Sequence, residues 1–310
     1  MIRLDNRSPI PADLRGAIIA LGNFDGFHLG HQAVVGEATA WARAEGRPAI
    51  VATFDPHPVR LFVPEAEPFR LTTLDQREEL FAAAGAAAML VIHFDRTVAA
   101  MAAPAWIEAM LAQHLGAAGV VTGEDFTFGQ GRGGNPAVLA EVGARFGIGA
   151  RAVGAVNDAE GPISSSRIRA ALQSGECETA ARLLTRPFAI RGVVQDGDKL
   201  GRTIGFPTAN LPLDQYLRPR YGIYAVRGLL PGGLVRNGAA NIGIRPTFDP
   251  PKELLEPYFF DFSGDLYGQE IEVEFHAFLR PEAKFDGLDA LVAQMERDCD
   301  RARELLAQAG

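Results

Sequence analysis

The chain has 310 residues, against roughly 100 to 200 for a typical domain, so two domains are expected. Its 47% hydrophobic and 22% charged residues are those of a folded globular protein and exclude disordered, collagen-like and coiled-coil architectures. The 30 Lys and Arg against 38 Asp and Glu give a net charge of -8, which offers no general basic surface to nucleic acid or anionic lipid, so a nucleotide ligand needs a local site. The cysteines Cys177 and Cys299 have no CxxC or His-spaced partner, which fits reduced thiols and neither a zinc site nor a disulfide framework. The opening segment MIRLDNRSPIPADLRG carries charges and prolines where a signal peptide has an apolar run. No stretch of about 18 apolar residues follows, so a cytoplasmic protein with neither membrane nor nucleic-acid partners is expected.

In chain order, AIIALGNF (17–24) reads as a buried strand, Gln32 to Glu45 as a helix, AIVATF (49–54) as a strand, and Leu74 to Ala84 as a helix. AAMLVIHF (87–94) is a strand, Ala103 to Leu115 a helix, GVVTGEDF (119–126) a strand, Pro136 to Phe146 a helix, and ARAVGAV (150–156) a strand. Strands alternating with helices of this length imply βαβ crossovers, hence a parallel sheet with helices on both faces. Ile163 to Leu184 reads as helical, and the grammar changes at Arg186-Pro187. From there FAIRGVVQ, TANLPL, YGIYAVRGLL, GAANIGI, YFFDF and EIEVEFHAFL recur between Gly and Pro turns, the spacing of a small antiparallel barrel or sandwich. PPKELLEP at 250–257 reads as a loop. Leu288, Leu291, Val292, Met295, Cys299, Ala302, Leu305 and Leu306 repeat at three and four, which predicts one amphipathic helix packed on the barrel. The division falls near residue 185.

Gly22-Asn23-Phe24-Asp25-Gly26-Phe27-His28-Leu29-Gly30-His31 follows the first strand and precedes the first helix. The C-terminal end of a parallel strand and the free N–H groups of a helix start are where phosphates bind in α/β sheets. Two histidines spaced HxxH at that point can donate hydrogen bonds to charge building on a polyphosphate, and the glycines admit close backbone approach. These residues resemble the (H/T)xGH nucleotidyltransferase signature, and GNFDGFHLGH is similar to the form found in bifunctional riboflavin kinase/FAD synthetases of the prokaryotic type. Thr53-Phe54-Asp55-Pro56-His57-Pro58, Gly123 to Gly129 (GEDFTFG) and Ile163 to Arg169 (ISSSRIR) resemble that family's further motifs, in the right order. Two positions depart from the usual pattern: Ser166 where Thr is frequent, and Asp125 where Asn is common. The consecutive hydroxyls of ISSSRIR can bond phosphate oxygens or cap a helix, and Arg169 can fork onto a polyphosphate. The loop Gly129 to Asn135 is GxGxGG, not GxGxxG, with no ribose-binding acid downstream, and reads as a flap near the flavin.

The run Gly197 to Asn210, GDKLGRTIGFPTAN, combines glycines with Lys199, Arg202, Thr203, Thr208 and Asn210. A glycine-rich loop can wrap a polyphosphate and Thr and Asn oxygens suit Mg2+, although a plain connection between strands has the same composition. GRTIGFPTANL resembles the riboflavin kinase signature, as do YGIYA (221–225), Ala240-Asn241-Ile242-Gly243, Arg245-Pro246-Thr247-Phe248 and Asp265-Leu266-Tyr267-Gly268. The Glu five positions before the DF pair is that family's base, here Glu256. EPYFFDF stands where ExHxxDF is usual, so Tyr258 replaces a His and Pro257 removes a backbone donor beside the base.

The resemblance implies a Rossmann-like nucleotidyltransferase domain over 1–185 and a Greek-key barrel with a terminal helix, a riboflavin kinase domain, over 186–310. It implies that the barrel phosphorylates riboflavin to FMN with ATP and Mg2+, and that the first domain converts FMN and ATP to FAD and pyrophosphate. His28, His31 and Arg169 would stabilise charge; Gly22, Asn23, Phe24, Gly30, Ser165 and Ser166 would bind ATP. Phe54, His57, Phe62, Asp125 and Phe128 are the candidates for the flavin pocket of the adenylyltransferase. In the kinase, Gly197, Lys199, Gly201, Arg202, Thr203 and Asn210 would grip ATP, and Thr208 with Asn210 would hold the metal. The partners expected are small molecules alone. A nucleotidyltransferase with a non-catalytic barrel lacks a reason for Glu256 and PTAN, and a flavin-binding protein would turn over no ATP.

Overall fold

The computed structural model describes residues 1–196, 205–245 and 252–308. The chain forms two compact units: Met1–Ala66 with Thr73–Ser164, and Glu67–Thr72 with Ser165–Gly310. The compact second unit therefore begins at Ser165, ahead of the change in sequence grammar.

In the first unit, β1 (Ile2–Asp5), β2 (Ile18–Leu21), β3 (Ala49–Asp55), β4 (Ala88–His93), β5 (Gly119–Gly123) and β6 (Gly149–Val153) form one sheet in the order β1-β4-β3-β2-β5-β6. All its pairings are parallel. Successive residues of the central strands face opposite layers. Ile19, Leu21, Ile50, Ala52 and Leu90 join one core with Trp106, Ile107, Leu111 and Leu139, while Ile18, Ala20, Val51, Met89 and Val121 join another with Val34, Val35, Trp41 and Phe81. A strand buried on both faces must be apolar at every position, which is why these runs show no alternation. The helices α1 (Leu29–Ala44), α2 (Pro58–Phe62), α3 (Leu74–Ala83), α4 (Arg96–Ala99), α5 (Ala103–Trp106) and α6 (Pro136–Ala144) supply the covering layers, and α5 runs into a π-helical stretch, Ile107–His114. A two-residue ribbon, β7 (Asn157–Asp158) and β8 (Gly161–Pro162), ends the unit. The strand order reverses between β2 and β5, so the segments after these two strands flank the crevice where α/β sheets bind ligands. The strand β1, four residues among charges, had no signal in the sequence reading.

The second unit opens with α7 (Ser165–Ser174) and α8 (Cys177–Leu184), where the sequence pattern suggests one helical segment. Gly175 at φ 89° ends α7, its N–H bonded to the Leu172 carbonyl and that of Glu176 to Ala171, a left-handed glycine stop. The strands β9 (Phe188–Val193), β10 (Leu211–Pro212), β11 (Gly222–Leu230), β12 (Leu234–Arg245), β13 (Lys252–Phe259) and β14 (Glu270–Arg280) make an antiparallel sheet in the order β10-β13-β12-β11-β14-β9. The meander β11-β12-β13 with β14 returning beside β11 is a Greek key. The Gln195 N–H reaches the Asn210 carbonyl at 2.8 Å, joining the two outer edges so that the barrel nearly closes. Segment 250–257, expected as a loop, is mostly strand: β13 accepts Pro257 because the missing donor faces the short β10 edge and not β12.

The helix α9 (Leu288–Gln308) packs Cys299, Ala302 and Leu306 on Ala225, Ala239 and Ala277 of the barrel's outer face. Small residues on the sheet let the helix sit close. Within the expected stripe Cys299, Ala302 and Leu306 are buried, Leu291, Val292, Met295 and Leu305 are half-buried, and Leu288 is exposed. Arg280 at the end of β14 forks onto buried Asp298 of α9 at 2.7 to 3.1 Å, tying the helix to the strand before it.

Candidate active sites

Residues 22–31 leave the C-terminal end of β2 and enter α1. Phe24 and Phe27 have φ 50° and 47° and are buried, a costly left-handed path for bulky side chains. His28 caps α1: its Nδ1 accepts the N–H of Gly30 at 3.1 Å and of His31 at 3.4 Å. A ring nitrogen that accepts twice carries no proton, so in neutral His28 the N–H is at Nε2, ready to donate. The His28 and His31 rings stack at 3.6 Å, and Phe24 meets His31 edge-on at 5.3 Å. The two histidines therefore come together as the spacing suggests, and the Gly30 amide is bonded to His28. A Cβ on Gly30 would stand 3.1 Å from the His28 ring, and one on Gly22 3.0 Å from the Phe24 ring. Both glycines make room for a ring.

Behind this turn lies Arg77 of α3, 1% exposed. Its Nη1 donates to the Asn23 carbonyl at 3.3 Å and to the Thr53 hydroxyl at 3.2 Å, and its Nη2 to Asp25 Oδ1 at 3.2 Å. The Thr53 hydroxyl in turn donates to the Asn23 carbonyl at 2.7 Å. The side-chain oxygen of Asn23 is buried without a hydrogen-bond partner among the described residues. Sequence reasoning missed Arg77, because a charged residue in an amphipathic helix reads as its wet face; only the Thr73-x-x-Gln76 capping box, formed in the structure, marks where α3 begins.

The flavin candidates separate. Phe54 and Phe128 lie in the same core cluster, Phe128 against Trp106 at 5.3 Å and Phe126 at 5.8 Å. Phe62 is 67% exposed and touches Phe94 edge-on, which touches Phe54 likewise. His57 caps α2 through its Nδ1 and the Val59 N–H, and Asp125 is exposed in the turn after β5. The glycine loop is closed at its base by reciprocal backbone bonds between Phe128 and Gly134.

Ser165, Ser166 and Arg169 stand in the first turns of α7, which belongs to the second compact unit. Arg169 donates from Nε to the Phe69 carbonyl at 2.9 Å and lies over the Phe69 ring at 5.2 Å.

In the barrel, Gly197, Lys199, Gly201, Arg202 and Thr203 lie outside the described residues. The Ala209 N–H donates to the Pro257 carbonyl at 3.0 Å, continuing the pairing of Leu211 with Leu255. The same register sets Asn210 opposite Glu256, and β12 sets Asn241 opposite Glu256 on the other side. Asn210, Glu256 and Asn241 thus form one row across three strands, on the face that carries α9. Asn241 Nδ2 reaches Glu256 Oε2 at 3.5 Å and Glu282 Oε1 at 3.4 Å. Gly243 makes this possible, since any Cβ there would collide with the Glu282 carboxylate. Asn241 and Gly243 carried no assigned role in the sequence, and Glu282 was missed; the ANIG motif was the signal. Tyr258 fills the usual His position and packs edge-on with Phe206 and Phe260. At the start of β13, burial would push the Glu253 carboxyl up, but the Tyr221 hydroxyl and the Arg218 guanidinium outweigh it and hold it below the usual range. Burial, with Glu253, pushes the Tyr221 hydroxyl up to about 12.

Residues 10–167 match the family described as FAD synthetase and residues 184–306 the family described as riboflavin kinase. Curated relatives called "Bifunctional riboflavin kinase/FMN adenylyltransferase" include one from Escherichia coli (strain K12), 39% identical over 97% of this chain and 96% of that protein, and one from Haemophilus influenzae, 40% identical over 94% of each. A crystal structure titled as a macrolide-efflux protein from Streptococcus pneumoniae superimposes with a TM-score of 0.87 at 30% identity, covering 98% of this chain and 99% of that one. Its title stands apart from the family matches and the curated relatives, which agree with one another. The chain belongs to the family of bifunctional riboflavin kinase/FMN adenylyltransferases.

Proposed function

We propose that this chain carries both reactions of its family, phosphorylation of riboflavin on the barrel and adenylylation of FMN at the histidine turn. The register that sets Asn210 opposite Glu256 carries the first assignment, because it joins the PTAN segment to a carboxylate that sequence alone left far away. On the barrel, Glu256 takes the proton of the riboflavin 5′-hydroxyl as that oxygen attacks the γ-phosphorus of ATP and ADP departs. Asn210, set opposite Glu256 by the register, and the half-buried Thr208 two positions before it offer hard oxygen donors. That donor set fits Mg2+, a cation bound by few protein oxygens and the substrate's phosphates; when bound it neutralises phosphate charge. Gly197, Lys199, Gly201, Arg202 and Thr203, which lie outside the described residues, and Asn210 are the residues proposed to bind the phosphates of ATP.

At the histidine turn an FMN phosphate oxygen attacks the α-phosphorus of a second ATP, the bond to the β-phosphate breaks, and pyrophosphate leaves. His28 donates from Nε2 and His31 adds positive charge; on α7, the hydroxyls of Ser165 and Ser166 and the Arg169 guanidinium are proposed to bind the ATP phosphates. Asn23, with its unpartnered oxygen, and the backbone of Gly22 and Phe24 contact the nucleotide. Phe54, His57, Phe62, Asp125 and Phe128 form the flavin side. The two activities divide near residue 185, as the matches to 10–167 and 184–306 support. No helix among the described residues is long and apolar enough to cross a membrane. As proposed, both are reactions of small molecules in the cytoplasm, where reduced thiols such as Cys177 and Cys299 are usual. Incubation with riboflavin, Mg2+ and labelled ATP, followed by chromatography of the flavins, tests the whole reading. FMN and then FAD are expected; FMN alone would sink the transferase assignment and FAD from supplied FMN alone the kinase assignment.

A further inference from the structure

The turn 22–27 keeps Phe24 and Phe27 in the left-handed region; its own Phe27 N–H bonds the Phe24 carbonyl, and a group that fixes the residues on either side of Phe24 holds that path more firmly. Arg77 does so. It is among the largest fully buried side chains of the protein, and its guanidinium bonds the Asn23 carbonyl on one side of Phe24 and the Asp25 carboxylate on the other. Thr53, at 0% exposure on β3, ties both Arg77 and the Asn23 carbonyl to the sheet. A buried ion pair contributes little stability beyond what well-packed apolar residues of the same size would. What it does supply is direction: a planar fork fixes two acceptors at a set separation, which an apolar side chain cannot.

We infer that Arg77 is a positioning residue for adenylyl transfer: its buried fork on the Asn23 carbonyl and Asp25 holds the nucleotide turn in its left-handed path, so that the turn meets ATP already shaped. The inference rests on the reading that this turn binds ATP. A residue acting this way affects the affinity of the site for ATP more than the rate of the bound complex, because the turn can still reach the same shape once the nucleotide is in place.

The test uses the full chain. Arg77→Met and Arg77→Lys are expected to raise the KM for ATP in FAD formation about tenfold or more, with kcat changed less than threefold and riboflavin phosphorylation unchanged as the internal control. A purely structural Arg77 predicts instead a lower unfolding temperature and a smaller active fraction with an unaltered KM, and that result would overturn the inference. Should Arg77→Met fail to fold, Thr53→Val removes only the hydroxyl between Arg77 and Asn23. A rise of about threefold in the KM for ATP at an unchanged unfolding temperature supports the inference, and an unchanged KM sinks it. Asn23→Ala, measured in parallel, separates the two readings. If it leaves the KM for ATP untouched, the turn does not bind ATP; if it raises it while Arg77→Met does not, the turn reading stands and only the role of Arg77 falls.

Discussion

The two candidate sites are built on opposite plans. In the α/β unit, the histidine turn is a local object: ten consecutive residues and a cap made by its own histidine, pinned by the side chains of Arg77 and Thr53. In the barrel, the row Asn210–Glu256–Asn241 exists only because three strands distant in sequence pair in one register. A local site tolerates changes elsewhere in its sheet and fails when its own turn changes. A register site depends on every strand that sets the row.

The largest effect that would break this contrast is at Glu256. Glu256→Gln, isosteric but unable to take a proton, should lower riboflavin phosphorylation by about a hundredfold to ten-thousandfold while FAD formation from supplied FMN continues; equal loss of both would mean that the sites are not independent. Next comes His28→Ala, expected to cut FAD formation by roughly a hundredfold to a thousandfold with FMN formation intact. It also removes the cap of α1, worth about 1 kcal/mol, so the melting curve of the protein should move by only a few degrees. A larger shift would mean that the capping role outweighs the catalytic one.

A smaller effect sharpens the register plan. Gly243→Ala, which would expel the Glu282 carboxylate from beside Asn241, should reduce kinase kcat/KM roughly tenfold through a misplaced Glu256, and leave adenylyl transfer as it is. The gentlest probe is thiol reactivity. Burial pushes Cys177 up to about 12 and Cys299 up to about 11. The folded protein should therefore ignore a disulfide reagent at pH 8, and both thiols should react on unfolding. An unfolded thiol loses its proton near 9, so this contribution to stability is complete below pH 9 and declines as pH rises toward the folded values. Melting temperatures measured from pH 8 to 11 should fall, and less so in Cys177→Ala.

Much of this was legible beforehand, and for a physical reason. The doubly buried strands and the Gly-Pro turns of the barrel imprint their periods on the text, and the histidine turn is contiguous, so AIIALGNF, GNFDGFHLGH and PTAN could be read where they stand. The reading failed where one residue does something its type rarely does. Arg77 is a buried cation, His28 is a helix cap, Gly175 splits what looked like one helical segment, and Pro257 sits inside a strand. Glu282 was invisible because its neighbour, Asn241, is about forty positions away in sequence.

Pro257 has one more consequence. Antiparallel partners that face each other across a narrow pair exchange two hydrogen bonds, but residue 257 can only accept, so the PTAN segment is fastened to β13 at Ala209 by a single bond. The strip proposed to hold ATP can lift there by breaking one bond and not two. A proline beside the proposed catalytic base thus leaves the junction between the PTAN segment and β13 one hydrogen bond short.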